Sequence, residues 1–293
     1  KWGVIGPGSI ATAFAHSIKH CQNSELTSVF GRNEGKTKIF AELFGIHPFS
    51  SLQDFIGSDE VDAVYVATPH SDHFVYALEA IKYKKHVLCE KPLTMNAHES
   101  MILLDLAQSS NVFLMEAYMY RTHPQTLNIL NNLHLLTETN KKILIEGSFG
   151  FKADVAVDHR LRNPLLGGGA ILDVGCYPLS MSKLIAGHLQ GTAFAEPQSI
   201  SATGRFDATG VDLQSDAHLI FSESIEAKIS CAIDEELSNQ LVIASGEVSI
   251  TVPQPWHCGQ FQGGQSSITI VNESGLVEEI LCDDQIGLFT REI

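Results

Sequence analysis

The sequence is short of the features that mark membrane, secreted or nucleic-acid-binding proteins. No apolar run in its 293 residues approaches the roughly 20 needed to cross a bilayer. Basic residues are few, 19 Lys and Arg against 34 Asp and Glu, for a formal charge of −15. That balance argues against nucleic acid or an anionic membrane surface as partner, since both need a cationic footprint. The pairs Lys84-Lys85 and Lys141-Lys142 read as solvated loops beside strands. The six cysteines (21, 89, 176, 231, 258 and 282) form no C-x-x-C and no cluster. Neither a metal site nor a disulfide framework is expected, and reduced thiols in a cytoplasmic protein are the simplest reading. Cys176 has no neighbour in sequence that would mark a catalytic thiolate. No basic leader precedes the first strand at Trp2, the missing Met suggests a few residues upstream, and 287–293 reads as the opening turns of a helix.

Hydrophobic residues make up 44% of the chain and charged ones 18%, enough for two cores. The pattern predicts strands at 2–5, 26–30, 61–67, 86–89 and 112–115, with helices at 9–20, 36–44, 52–56, 73–83 and 97–109. Strand–helix alternation of this kind argues a parallel sheet covered on both faces. The near-continuous apolar run VDAVYVA at 61–67 suits a strand buried on both sides. After Tyr120 the pattern changes. A helix is expected over 124–136, a strand over 143–151 and a Gly-rich start to a helix over 169–186. Strands should then follow at 199–206, 213–221, 225–233, 240–244, 247–252, 266–272 and 276–281. The expected fold class is α/β: an N-terminal Rossmann domain over 1–120, then a C-terminal α+β domain over 121–293 with a large, mostly antiparallel open sheet.

Val4-Ile5-Gly6-Pro7-Gly8-Ser9-Ile10-Ala11 is a G-x-G-x-x-A turn between a strand and a helix. Gly6 permits the tight turn, Gly8 lets a pyrophosphate approach the backbone, and Ala11 allows close helix–strand packing. Ser9 and Ile10 open the helix whose N–H groups would meet the phosphates. About 20 residues on, NAD-binding domains usually place a carboxylate for the ribose 2′-hydroxyl. Here the chain has Phe30-Gly31-Arg32-Asn33. A guanidinium suits a 2′-phosphate, so NADP is favoured over NAD, with Glu34 as the residue that could still reach a ribose.

Three more segments put polar groups where strands end, as ligand sites in open α/β sheets do. They are Thr68-Pro69-His70-Ser71-Asp72-His73, Cys89-Glu90-Lys91-Pro92, and the stretch from Gly167-Gly168-Gly169 through Asp173 and Cys176 to Tyr177 and Pro178. Asp173 and Tyr177 are four apart and would share a helix face, and Pro178 should bend that helix. His70 and His73 have no third partner spaced for a metal. Arg160 and Arg162 read as part of a loop over the site, either of them able to touch substrate or cofactor.

Together with Met115-Glu116-Ala117-Tyr118-Met119-Tyr120-Arg121, these segments resemble the Gfo/Idh/MocA family of oxidoreductases over the whole chain, in order. The Glu-Lys-Pro and Gly-Gly-Gly segments are the most specific parts. Within the family the chain looks most like the dimeric dihydrodiol dehydrogenase and sugar-dehydrogenase branch, commonly NADP-dependent. The resemblance implies that Lys91, Asp173 and Tyr177 line the nicotinamide end of a cleft and carry the catalysis. Pro69, His70, His73 and Glu90 would then join the glycine turn and Arg32 on the cofactor side. It also implies a homodimer or higher homo-oligomer that pairs subunits through the open sheet, and a sugar-like, inositol-like or cyclic diol substrate. Glu116 and Tyr120 read as structural. Lys91 or Tyr177 could carry the proton: an unperturbed phenol is a poor base at neutral pH, and a nearby ammonium would improve it. Two other functions stay open, a cofactor-sensing regulator on the same fold and a glycosidase that oxidises its substrate transiently.

Overall fold

The computed structural model of the chain describes residues 1–258, 264–284 and 286–293. They fall into two units, Lys1–Tyr118 with Phe289–Ile293, and Met119–Leu288. The segment 289–293, expected in the second domain, belongs to the first unit, where the Thr290 hydroxyl donates to the Ser17 carbonyl.

In the first unit, β1 (Trp2–Ile5), β2 (Leu26–Phe30), β3 (His47–Phe49), β4 (Ala63–Val66), β5 (His86–Glu90) and β6 (Leu114–Ala117) alternate with helices. The helices are α1 (Ser9–Ser17), α2 (Glu34–Phe44), α3 (Leu52–Gly57), α4 (His70–Lys82) and α5 (Ala97–Ser110). The strands form one sheet in the order β3-β2-β1-β4-β5-β6, and every pairing in it is parallel. Successive side chains of a strand point to opposite faces, and here both faces are apolar. Val4, Val29, Tyr65 and Leu88 pack with Phe14 of α1 and Phe40 of α2 on one side. Ile5, Phe30, Val64, Val66, Val87 and Cys89 pack with Phe55, Ile81 and Leu103 on the other. The strand order reverses between β1 and β4, the switch point at which such sheets bind ligands.

Two details depart from the sequence pattern. β3 is a three-residue edge strand containing Pro48, too short and too irregular for periodicity to reveal. α4 begins at His70 rather than residue 73, because Pro69 occupies its N-cap and fixes an extended backbone there (φ −58°, ψ 151°).

The second unit is built on β7 (Ile143–Gly150), β8 (Ser199–Phe206), β9 (Asp212–Ser222), β10 (Ile225–Ala232), β11 (Leu241–Ser245), β12 (Val248–Val252), β13 (Gly264–Val271) and β14 (Val277–Asp284). Their order is β14-β13-β12-β11-β7-β10-β9-β8. The β10–β7 pair is parallel and the others antiparallel. α6 (Pro124–Asn132), α7 (His134–Thr137) and α8 (Cys176–Leu189) complete the unit, the first two replacing the single helix expected over 124–136. Ile145, Ala227, Leu219, Ile243 and Ile250 are paired across the sheet and buried on one face. On the opposite face the row His218, Lys228, Glu146, Val242 and Thr251 is mixed in character.

Candidate functional site

The glycine turn has the shape its spacing predicts. Gly6 follows β1 at φ +95°, and a Cβ there would stand 2.8 Å from the Ala67 carbonyl oxygen. Its N–H donates to the Phe30 carbonyl (2.9 Å), which ties the turn to the end of β2. Gly8 is the N-cap of α1 and has no capping side chain. A Cβ on Gly8 would meet nothing within 4 Å, so its backbone faces open space. Ser9 is exposed, Ile10 half-buried and Ala11 fully buried against the sheet. The helix start thus offers unpaired N–H groups and a positive dipole end, a ready anion site.

A cavity of about 250 Å³ adjoins this turn, walled by the ends of β1, β2 and β4. Arg32, Asn33, Lys36, Thr68, Pro69 and Tyr76 line it together with the glycine turn. Gly31 is sterically required: a Cβ there would lie 2.6 Å from Pro7 Cδ and 2.8 Å from Thr37 Oγ1. Lys36 stands in the first turn of α2, whose N-cap Asn33 accepts the Lys36 N–H at 2.9 Å. Glu34 is exposed in that turn and is absent from the lining. The carboxylate nearest Arg32 is Asp72, in the first turn of α4, which accepts from Arg32 Nη2 at 2.7 Å. No spacing rule marks Asp72, Lys36 or Tyr76; only the tertiary fold gathers them.

Beyond β4 and β5, which pair Val66 with Cys89, the chain places Thr68 and Lys91 just past adjacent strand ends. Lys91 is half-buried. The segment around it is fixed by three side chains. Glu90 accepts from the Tyr65 hydroxyl and from the Lys91 N–H, and Glu116 accepts from the Leu93 N–H at 2.8 Å. Burial raises the Glu90 carboxyl above its ordinary range and the Tyr65 phenol well above its own. The third is His73, whose Nδ1 lies 2.8 Å from the Pro92 carbonyl and Nε2 2.9 Å from that of Thr68. Expected on the cofactor side, His73 has no exposed surface and both nitrogens on backbone carbonyls, and it ties the start of α4 to the Lys91–Pro92 segment. Burial lowers its pKa. Glu90 likewise acts on the backbone and on Tyr65. His70, nearly buried, stacks edge-on to His73 with ring centroids 5.7 Å apart.

In the second unit, Asp173 lies in a π-helical turn, Ile171–Gly175, that runs directly into α8. Such turns recur at functional sites. They are not the regular α-helix expected from 169. Pro178, the third residue of α8, follows the π turn directly and so lies within one continuous helical run from Ile171. Asp173 is buried and accepts from Arg160 Nη1 at 2.9 Å. Arg162 is structural: its Nε donates to Asp207 (2.9 Å) and its Nη1 to the Val155 carbonyl (3.2 Å). Tyr177 is 6% exposed among Phe149, Tyr120 and Trp256, with ring centroids 5.2, 5.9 and 6.1 Å away. Tyr120 is fully buried and donates to Ser180. The glycines here serve packing: Cβ atoms on Gly168 and Gly175 would meet the Leu161 carbonyl oxygen and Cys231 Sγ at 2.7 Å. No group of three or more His, Cys, Asp or Glu among the described residues is arranged to hold a metal. No helix among them is long and apolar enough to cross a membrane.

A glycine turn at the switch point of a 3-2-1-4-5-6 parallel sheet, with a cationic cavity beside it, defines a dinucleotide-binding protein of the Rossmann class. The particular family follows from comparison. Residues 1–118 match the Gfo/Idh/MocA model, an oxidoreductase family with an NAD-binding Rossmann fold. The chain is 31% identical over 261 residues to the trans-1,2-dihydrobenzene-1,2-diol dehydrogenase of Danio rerio, covering 88% of this chain and 75% of that one. It is 28% identical over 235 residues to D-xylose 1-dehydrogenase (NADP(+)) 2 of Haloferax volcanii, covering 80% and 69%. Among solved structures, the 3-ketoreductase KijD10 of Actinomadura kijaniata, in complex with NADP and TDP-benzene, superposes with a TM-score of 0.85 at 24% identity, covering 99% of this chain and 86% of that one. That last likeness is one of fold. The chain belongs to the Gfo/Idh/MocA family and is an NAD(P)-dependent oxidoreductase.

Proposed function

We propose that the protein is a dehydrogenase or reductase that moves a hydride between NADP(H) and a sugar-like, inositol-like or cyclic diol substrate. The observation that carries the cofactor choice is the cavity at the end of β2, lined by Arg32 and Lys36 and not by a carboxylate from β2 itself. Cations there favour a 2′-phosphate. The open backbone at Gly8 and the free N-terminus of α1 fit the pyrophosphate. The relatives' named substrates, a dihydrodiol and D-xylose, support the substrate class.

When bound, the nicotinamide supplies the hydride donor or acceptor. The chain itself must handle the hydroxyl proton. Lys91 and Tyr177 are the proposed carriers, and Asp173, held by Arg160, is proposed to bind a substrate hydroxyl or orient a carrier. Holding the Lys91 segment at three points (Glu90, Glu116 and His73) limits its freedom, which favours a side chain whose position matters. We further propose a cytoplasmic homodimer. Six cysteines without a disulfide suit a reducing compartment. The end strands expose Ile200 and Phe206 on β8 and Val277 and Leu281 on β14. Sedimentation at micromolar concentration should give a dimer, and a monomer would refute that part.

The test is spectrophotometric. NADPH oxidation and NADP⁺ reduction are followed against aldoses, inositols and trans cyclic diols, with the corresponding ketones for the reverse direction. Turnover with at least one of them, faster with NADP(H) than with NAD(H), is the expected outcome. Turnover with NAD(H) alone would overturn the cofactor assignment.

A further inference from the structure

Arg32 does not stand alone in its cavity. Its Nη2 donates to Asp72 Oδ2 at 2.7 Å, and the two side chains differ sharply in setting: Arg32 is two-thirds exposed, while Asp72 is mostly covered. Asp72 sits in the first turn of α4, where its N–H donates to the Pro69 carbonyl and where a helix dipole stabilises an anion. Tyr76, one turn further along α4, lines the cavity. Its ring lies 6.2 Å from that of Phe30 at the end of β2. Burial raises the Tyr76 phenol above its ordinary range. Asp72 is thus a mostly covered carboxylate paired with an exposed guanidinium that itself lines the cavity. Lys36 lines the same cavity from α2, is exposed, and makes no ion pair among the described residues.

We propose that Asp72 sets the cofactor selectivity of this chain, competing with the 2′-phosphate for Arg32 and leaving Lys36 as the main cation for that group. The proposal rests on the NADP(H) reading above and deepens it. A phosphomonoester at this position carries nearly two negative charges. To use Arg32 it must approach a carboxylate already paired with the same guanidinium, and like charges this close repel. A 2′-hydroxyl meets no such opposition, and the Asp72 carboxylate is an acceptor it can donate to. Asp72 thus holds down the preference for NADP(H) and keeps NAD(H) usable. Arg32 retains N–H groups beyond the one given to Asp72, so its contribution is reduced, not abolished.

Dissociation constants of NADPH and NADH, read from quenching of protein fluorescence, test this on the full chain without a substrate. In Asp72→Asn, NADPH should bind roughly tenfold more tightly and NADH about as before, the change expected when one charge-opposed contact is relieved. Asp72→Glu should restore the parental ratio. Lys36→Ala should weaken NADPH more than Arg32→Ala does in the parent chain. In an Asp72→Asn background the loss on Arg32→Ala should grow. A preference for NADPH over NADH that is unchanged or weaker in Asp72→Asn overturns the proposal, whatever the parent's own preference. A parent that binds NADH more tightly, with Lys36→Ala and Arg32→Ala without effect on NADPH, overturns instead the underlying NADP(H) reading.

Discussion

Gly6 and Gly8 are two residues apart in the same turn, yet alanine at each should do different things. At Gly6 the backbone is left-handed (φ +95°) and the new methyl would stand 2.8 Å from the Ala67 carbonyl oxygen and 2.9 Å from Thr68 Cγ2. The backbone strain costs about 1–2 kcal/mol. Forcing a methyl into a packed site adds about 1–3 kcal/mol. The sum, about 2–5 kcal/mol, is a large share of the 5–15 kcal/mol or so that holds an ordinary domain together. At Gly8 the backbone is extended (φ −103°) and the methyl meets nothing within 4 Å, so stability should change by less than about 1 kcal/mol. The methyl would instead occupy the space a pyrophosphate must enter to reach the first N–H groups of α1. Losing one or two charge-assisted contacts there weakens NADPH by roughly ten- to several-hundred-fold. Urea unfolding followed by circular dichroism, with NADPH titration of the folded variants, separates the two effects. If Gly8→Ala binds NADPH as well as the parent does, the pyrophosphate does not approach at this turn and the assignment of the fingerprint is wrong.

If Lys91 and Tyr177 serve one proton transfer, Lys91→Ala and Tyr177→Phe should each cut kcat by about 10²–10⁴. The double variant should cost little more than the worse single one, because members of one unit are not additive; near-normal turnover in Tyr177→Phe removes Tyr177 from the mechanism. Asp173→Asn should act more mildly than either, with a rise in KM for substrate showing that it binds a hydroxyl; a loss of turnover as deep as that of Lys91→Ala would place it among the proton carriers instead. Glu292 is 9% exposed, and neither carboxyl oxygen has a hydrogen-bond partner among the described residues. Burial, then Glu90, holds its pKa well above the ordinary glutamate range. The folded chain therefore keeps a proton that the unfolded chain releases, and stability falls as pH rises from the ordinary glutamate pKa toward the raised one. Glu292→Gln should stabilise the protein at neutral pH by about 1 kcal/mol or more and change nothing near pH 4; melting curves of equal pH dependence in both chains would contradict this.

The first sheet was legible because its strands are buried on both faces and its helices alternate with them, so that Val4-Ile5 and Val64-Tyr65-Val66 announce themselves. β3 was not, since three residues around Pro48 carry no periodicity. The glycine turn could be read from spacing, because its geometry is local: positive φ at Gly6, an open N-cap at Gly8 and a buried Ala11. Asp72 could not. Its bond to Arg32 joins residues 40 apart, and such a meeting follows from the order of strands rather than from any motif. His73, which the resemblance puts on the cofactor side, also has contacts that no motif marks: its ring nitrogens lie 2.8 and 2.9 Å from the Pro92 and Thr68 carbonyls. The π turn at 171–175 also escaped, because the pattern of apolar residues around it is that of a helix of either kind.

The central claim is that this chain transfers a hydride, and isotope tracing tests it most directly. NADP⁺ is incubated with the enzyme and with aldoses and cyclic diols carrying deuterium on the carbinol carbons, and the recovered cofactor is weighed by mass spectrometry. The account predicts NADPH one mass unit heavy, with deuterium at nicotinamide C4, from at least one substrate, and its loss in Lys91→Ala. Tight binding of NADP⁺ with no deuterium transfer from any of them would contradict the account and leave a protein that senses the cofactor without using it.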